Sequence, residues 1–198
     1  MRQLALRISP PPQPALDNFV PGANAELVAR LKEFQGSKFA ENVLYLWGAA
    51  GSGKSHLLRA CAGPNVVDDV EMLGDALQID LFNKINELRL FGGAVLVAGN
   101  ASPPLLPLRE DLRSRLAWGL VYHVKPLTDE ERATYVRAEA QRRGMRVPDE
   151  VISYLLTHVR RDLPTLVAIL DELDRTSLEL KRPVTLPLVR EALKEMEE

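Results

Sequence analysis

Two stretches of this 198-residue chain could do phosphate chemistry. The first, Gly48-Ala-Ala-Gly51-Ser52-Gly53-Lys54-Ser55, fits the spacing G-x-x-x-x-G-K-[ST] completely. Its glycines let the backbone turn N–H groups inward around an anion, and Lys54 neutralises outer phosphates. The Ser55 hydroxyl is suited to ligate Mg2+. A nucleotide with Mg2+ is therefore the expected ligand. The second stretch, "DLRSRLAWGL" from Asp111 to Leu120, sets two arginines and a tryptophan on a short, mostly apolar segment. Because the loop already has its own cation, the phosphate that Arg113 and Arg115 serve is an open question.

A carboxylate at the C-terminal end of a strand sits beside such a loop in α/β sheets. "VVDDVE" supplies two, Asp68 to hold Mg2+ through water and Asp69 to orient an attacking water. A pair of solvated turn carboxylates is the plainer alternative. Asn100, closing "GAVLVAGN", is placed to hydrogen-bond a γ-phosphate or the water, or simply to form the turn before "ASPP". Cys61, His123 and His158 lack metal-ligand spacing, and Cys61 reads as a small buried hydrophobe.

The elements that must position these residues read as an α/β domain followed by helices. "NVLYLWG" is a buried strand running into the loop, with a helix from Lys54 to Ala62 after it. Asn24 is the expected N-cap of "AELVARLKEF", in which Leu27, Leu31 and Phe34 share a face. An amphipathic helix over 75–90 should bury Leu77, Leu81, Ile85 and Leu88. "GAVLVAGN" and "GLVYHV" read as strands, and "LREDLRSRLA" as a short helix. From Leu127 the period is helical throughout, with Thr128 capping the first helix and Gly144 closing it. The proline-rich break "SPPPQP" sets off residues 1–15 as a tail, leaving an α/β domain over 16–126 and a helical bundle over 127–198.

A formal charge of -2 gives the chain as a whole no electrostatic footprint for nucleic acid. The single cysteine excludes an intramolecular disulfide and suits a reducing compartment. No stretch reaches the roughly 20 apolar residues of a membrane span, and "MRQLALRISPPP" is too short an apolar run for a signal peptide. A cytoplasmic protein with no membrane partner is expected.

Taken in order, "LDNFVPGANAEL", "GAAGSGKSHLL", "VVDDVE", "LRSRLAWGL" and "RRDLPTLVAILDELDR" resemble the AAA+ ATPases of the DnaA branch, over nearly the whole chain. Within it the match is to DnaA-homologous regulators that promote inactivation of the initiator. The resemblance implies a P-loop AAA+ parallel-sheet domain with a C-terminal helical lid. It implies Asn18, Phe19 and Val20 beside the adenine, Asn100 as first sensor, Arg161 as second sensor, and Arg115 as an arginine finger pointing into a neighbour's site. An ion pair of Arg115 with Glu110 or Asp111 is the alternative for that side chain. "QLALRI" is similar to peptides that dock on the bacterial sliding clamp (the DNA polymerase III β subunit), with Gln3 at a pocket rim and Leu4, Leu6 and Ile8 filling apolar pockets. A terminal strand or disordered tail is the alternative there, and Arg7 stands where a proline or aromatic is common.

The implied partners are DnaA and the clamp, with DNA met only through the clamp and homodimerisation left open. After "REALKEMEE" no helix-turn-helix follows, so a regulator rather than the initiator is expected. An autonomous ATPase, such as a helicase loader or transposition helper, is the rival. One departure stands out: Ser55 and Asp68 are only 13 positions apart, where related chains carry another strand. The expectation is a direct crossover returning beside the first strand, from a shortened protein or from a sequence lacking residues.

Overall fold

The computed structural model describes residues 13–36, 39–160 and 162–197. They form two compact units, one up to Pro126 and one from Leu127.

The first unit is built on a parallel sheet of β1 (Val43–Trp47), β2 (Val66–Val67), β3 (Val95–Gly99) and β4 (Leu120–His123), in the order β2-β3-β1-β4. Alternation along β1 dictates two apolar layers. Val43 and Tyr45, with Val95 and Val97 of β3, pack against α3 (Asp75–Phe91) and α4 (Glu110–Ala117) through Leu81, Ile85, Leu88, Leu112 and Leu116. Leu44 and Leu46, with Leu96 and Ala98, pack on the other face against α1 (Ala25–Gln35) and α2 (Lys54–Ala60) through Leu27, Leu31, Leu57 and Leu58. Leu112 and Leu116 are wholly buried, and burying each side chain contributes about 1.5–3 kcal/mol. The expected α/β fold is the one found.

Three expectations are corrected. The short span after α2 does return to the sheet, but β2 pairs with β3 (Val66↔Leu96, Val67↔Val97) and β3 lies between it and β1. The physical reason is rung number and burial. "VLVAG" offers β1 five paired positions and is buried throughout, whereas the two half-buried valines of β2 suit an edge. Leu77 faces solvent at 54% exposure, and the buried neighbour on α3 is Gln78. Asn24 makes no side-chain cap; its Nδ2 donates to the carbonyls of Pro21 and Lys125, and its Oδ1 accepts from the Lys125 N–H.

The second unit contains α5 (Asp129–Arg142), α6 (Asp149–His158), α7 (Leu163–Leu180) and α8 (Leu186–Glu197). Thr128 caps α5 in a reciprocal box with Glu131, and Asp162 caps α7 by accepting from the Thr165 N–H. The α6 and α7 stripes, Ile152 and Leu155 against Leu166, Ile169, Leu170 and Leu173, form its core with Val136, Val189 and Ala192. No helix among the described residues is long and apolar enough to cross a membrane.

Candidate functional site

Parallel strands put all their C-terminal ends at one edge, and three of the singled-out stretches leave from there. The glycine loop follows Trp47, Asp68 and Asp69 follow Val67, and Asn100 follows Gly99, with Trp47 and Gly99 in register. Loop, carboxylates and asparagine are thereby brought to one edge.

The loop is shaped for an anion. Gly53 has φ +100, and a Cβ there would lie 2.7 Å from Cε2 of Phe19. Lys54 Nζ donates to the carbonyls of Gly48 (2.7 Å) and Ala49 (3.1 Å), which places its charge over the loop. Ser52 is buried, and its Oγ has no hydrogen-bond partner among the described residues. A buried hydroxyl without a partner needs one, and a phosphate oxygen fits this cradle. Ser55 stands one residue beyond Lys54 on the first turn of α2.

Phe19 reaches the loop from the segment before α1, with its ring 5.6 Å from that of His56. Asn18 is exposed and engaged locally, accepting from the Ala15 N–H and donating to the Gln13 carbonyl; Val20 is half-buried. Gln3, Leu4, Leu6, Ile8 and Arg161 lie outside the described residues.

Asp68 and Asp69 are both exposed. Asp68 Oδ1 accepts from the Asp69 N–H at 3.0 Å, and Asp69 adopts a left-handed conformation (φ 47, ψ 51) that is uncommon for a residue with a side chain. A 3-10 turn, Val70–Met72, follows and brings Glu71 back under the edge. Glu71 Oε2 accepts from the Asn100 N–H at 3.3 Å, and Tyr45 OH donates to the Ala101 carbonyl at 2.7 Å. A Cβ at Gly99 would lie 2.3 Å from the Tyr45 hydroxyl, so only glycine lets the strand end there. Burial, reinforced by the Glu71 charge, pushes the Tyr45 hydroxyl pKa up, keeping it a neutral donor. Sequence reasoning missed Glu71 and Tyr45; a polar tyrosine inside an otherwise aliphatic strand was the one signal. Among the described residues no group of three or more His, Cys, Asp or Glu could hold a metal.

Arg113 and Arg115 part company. Arg113 Nη1 donates to the Pro104 carbonyl at 3.4 Å. The alternative ion pair for Arg115 is not formed among the described residues. Asp111 instead takes both Nε and Nη2 of Arg109, whose hydrogen bond is the largest influence holding the Asp111 carboxyl below its ordinary range. The Arg115 guanidinium lies between two rings, 4.6 Å from the Trp118 centroid and 5.6 Å from that of Phe82. Its Nη1 is buried and has no hydrogen-bond partner among the described residues. Gly119 lies against Val43, the first residue of β1, whereas the phosphate loop starts after the last, Trp47. At about 3.3 Å per residue the strand separates those ends by roughly 13 Å. Arg115 also lies on the α3–α4 face, while α2 occupies the other.

These features make a parallel α/β sheet with a glycine-rich loop suited to an anion at its C-terminal edge, followed by a helical unit, and comparisons with known proteins find the same fold. Residues 129–193 match the family model described as Hda, lid domain. Domain III of the Thermotoga maritima replication initiation protein DnaA superposes with a TM-score of 0.74 at 22% identity, over 94% of this chain and 98% of that one. AMPPCP-bound DnaA from Aquifex aeolicus superposes with 0.69 at 20% identity, over 82% and 65%. The Thermotoga maritima Holliday junction branch migration motor RuvB gives 0.68 at 17%, over 93% and 72%. The chain has a DnaA-like AAA+ fold, and its C-terminal helices are similar to the Hda lid.

Proposed function

We propose that this chain is an Hda-type negative regulator of replication initiation, one that binds a nucleotide and supplies Arg115 to ATP held by DnaA. The observation that carries the reading is Arg115 itself. Its guanidinium is held by two aromatic rings, has a buried Nη1 without a partner among the described residues, and stands at the sheet edge opposite its own phosphate loop. An arginine so placed serves a phosphate on another molecule. Delivered across an interface, it stabilises charge developing on a γ-phosphate, an effect of about 10³–10⁵ in rate.

In the chain's own site Lys54 and the loop of Gly48, Gly51, Ser52 and Gly53 hold the outer phosphates of ADP or ATP. Ser55 and Asp68 would hold Mg2+, whose charge offsets that of the phosphates. Asp69 orients water, Asn100 reads the γ-phosphate, Asn18, Phe19 and Val20 border the adenine, and Arg161 serves as the second sensor. Own-site hydrolysis is slow because no finger reaches it unless the chain self-associates as a homodimer. Gln3, Leu4, Leu6 and Ile8 dock on the sliding clamp, so DNA is met only through the clamp, in the cytoplasm.

The test is phosphate release from ATP-loaded DnaA with clamp-loaded DNA, comparing the wild-type chain with Arg115→Ala. Hydrolysis that requires the wild type and collapses with the variant supports the reading. A DnaA rate indifferent to both overturns it and puts the autonomous ATPase, such as a helicase loader or transposition helper, in first place.

A further inference from the structure

We propose that Gln78 is a positioning residue for Arg115: its buried amide ties the start of α4 to the acidic turn of the chain's own nucleotide site and so sets where the guanidinium is presented. The inference rests on the trans-acting reading of Arg115.

Gln78 is only 5% exposed, on the face of α3 where the apolar pattern asked for a leucine. Both ends of its amide are used. Nε2 donates to the Leu73 carbonyl at 2.8 Å, and Oε1 accepts from the Arg109 N–H at 3.0 Å. Leu73 closes the 3-10 turn that follows Asp68 and Asp69, and Arg109 is the residue from which α4 starts. The Arg109 side chain does not cap α4, being paired with Asp111, so Gln78 gives that end its hydrogen bond from the interior, beside the buried Leu108.

The turn is held at a second point, where Glu71 accepts from the Asn100 N–H. A run of hydrogen bonds therefore links the asparagine after β3, through Glu71, the turn and Gln78, to Arg109, the residue just before the finger helix. That helix has eight residues and carries the fully buried Leu112 and Leu116. A helix this short moves as one body, so a shift at Arg109 is carried to Arg115, about 9 Å along the axis at 1.5 Å per residue. Space-filling alone would be served better by leucine or methionine, since a buried amide is costly unless both its donor and its acceptor are satisfied.

Two variants cut the tie from opposite sides. Gln78→Met keeps the volume and removes both bonds. Arg109→Pro removes the N–H, at a residue whose φ of -54 proline can adopt, and with it the side chain's pair with Asp111; Arg109→Ala, which loses that pair but keeps the N–H, is its control and should behave as wild type. Each is read by the maximal rate and half-saturating concentration of stimulated DnaA hydrolysis. A second reading, acrylamide quenching of Trp118 in a Trp47→Phe background, follows the ring on which Arg115 rests. Both variants should lower the maximal rate about 10–100-fold, the scale of a misplaced catalytic group, with half-saturation and ADP affinity within about twofold of wild type. Trp118 quenching should rise in both. Wild-type maximal rates and wild-type quenching in both variants overturn the proposal. Should the wild-type chain fail to stimulate DnaA, the trans-acting reading falls, and Trp118 quenching alone decides: raised in both variants it supports the tie, unchanged it overturns it.

Discussion

The Arg115 guanidinium carbon lies 4.6 Å from the centroid of the indole of Trp118, the residue that follows the end of α4. Trp118 is 70% exposed, so its ring is spent on the arginine rather than on the core. A cation over an exposed aromatic face is worth about 0.5–1 kcal/mol, which sets the expected cost of Trp118→Ala at roughly two- to fivefold in stimulated DnaA hydrolysis. Arg115→Lys should cost far more, because lysine lacks the planar fork that both stacks and hydrogen-bonds. Binding of ADP by the chain itself should be unaffected by either change, as equilibrium titration would read.

Gly53→Ala tests the cradle. The added Cβ meets Cε2 of Phe19 at 2.7 Å, and alanine is strained at φ +100. A loss of about 1–3 kcal/mol in stability is expected from the strain, together with weaker nucleotide binding. Phe19→Ala in the same chain should relieve the clash but leave the backbone strain. Thermal unfolding of the double variant should therefore recover only part of the way.

The C-terminal helical unit should be acid-sensitive through Glu139. Its hydrogen bond to Arg142 is the largest influence on it, burial opposes, and Arg143 assists; together they hold its carboxyl below the ordinary 4.5. A depressed carboxylate contributes stability that is present above its unfolded pKa and lost as pH falls through the folded one. The melting temperature should therefore decline as pH drops below 4.5, and Glu139→Gln should flatten that decline. An unchanged slope in the variant would refute the assignment.

Cys61 is the single thiol and is buried beneath α1 and β1, where burial pushes its pKa up to about 11. At neutral pH it is therefore a neutral thiol, whereas the thiolate is the reactive form. A disulfide-exchange reagent at neutral pH should leave the native chain unlabelled for as long as it remains folded, and label one thiol per chain in denaturant.

The sequence by itself determined what short-range spacing encodes. The phosphate loop, the Thr128 cap, the α6 and α7 stripes, and a chain that is α/β and then helical all follow from residues a few positions apart, which share a turn or a helix face. The tertiary structure decided whom a polar side chain meets across the fold. Glu71 finds Asn100 29 residues away, Gln78 finds Arg109 31 residues away, and Asn24 finds Lys125 101 residues away. No local periodicity carries those distances. Leu77 and Gln78 show the consequence, because a hydrophobic pattern puts the leucine inwards, whereas two backbone groups needing a partner put the glutamine there. The same holds for β2, whose neighbour depended on whether β3 or β1 offered it an open edge. Arg115 is readable from its segment as one of two arginines, but only the packed sheet, with Gly119 just past α4 lying against the first residue of β1, puts it at the edge away from its own loop.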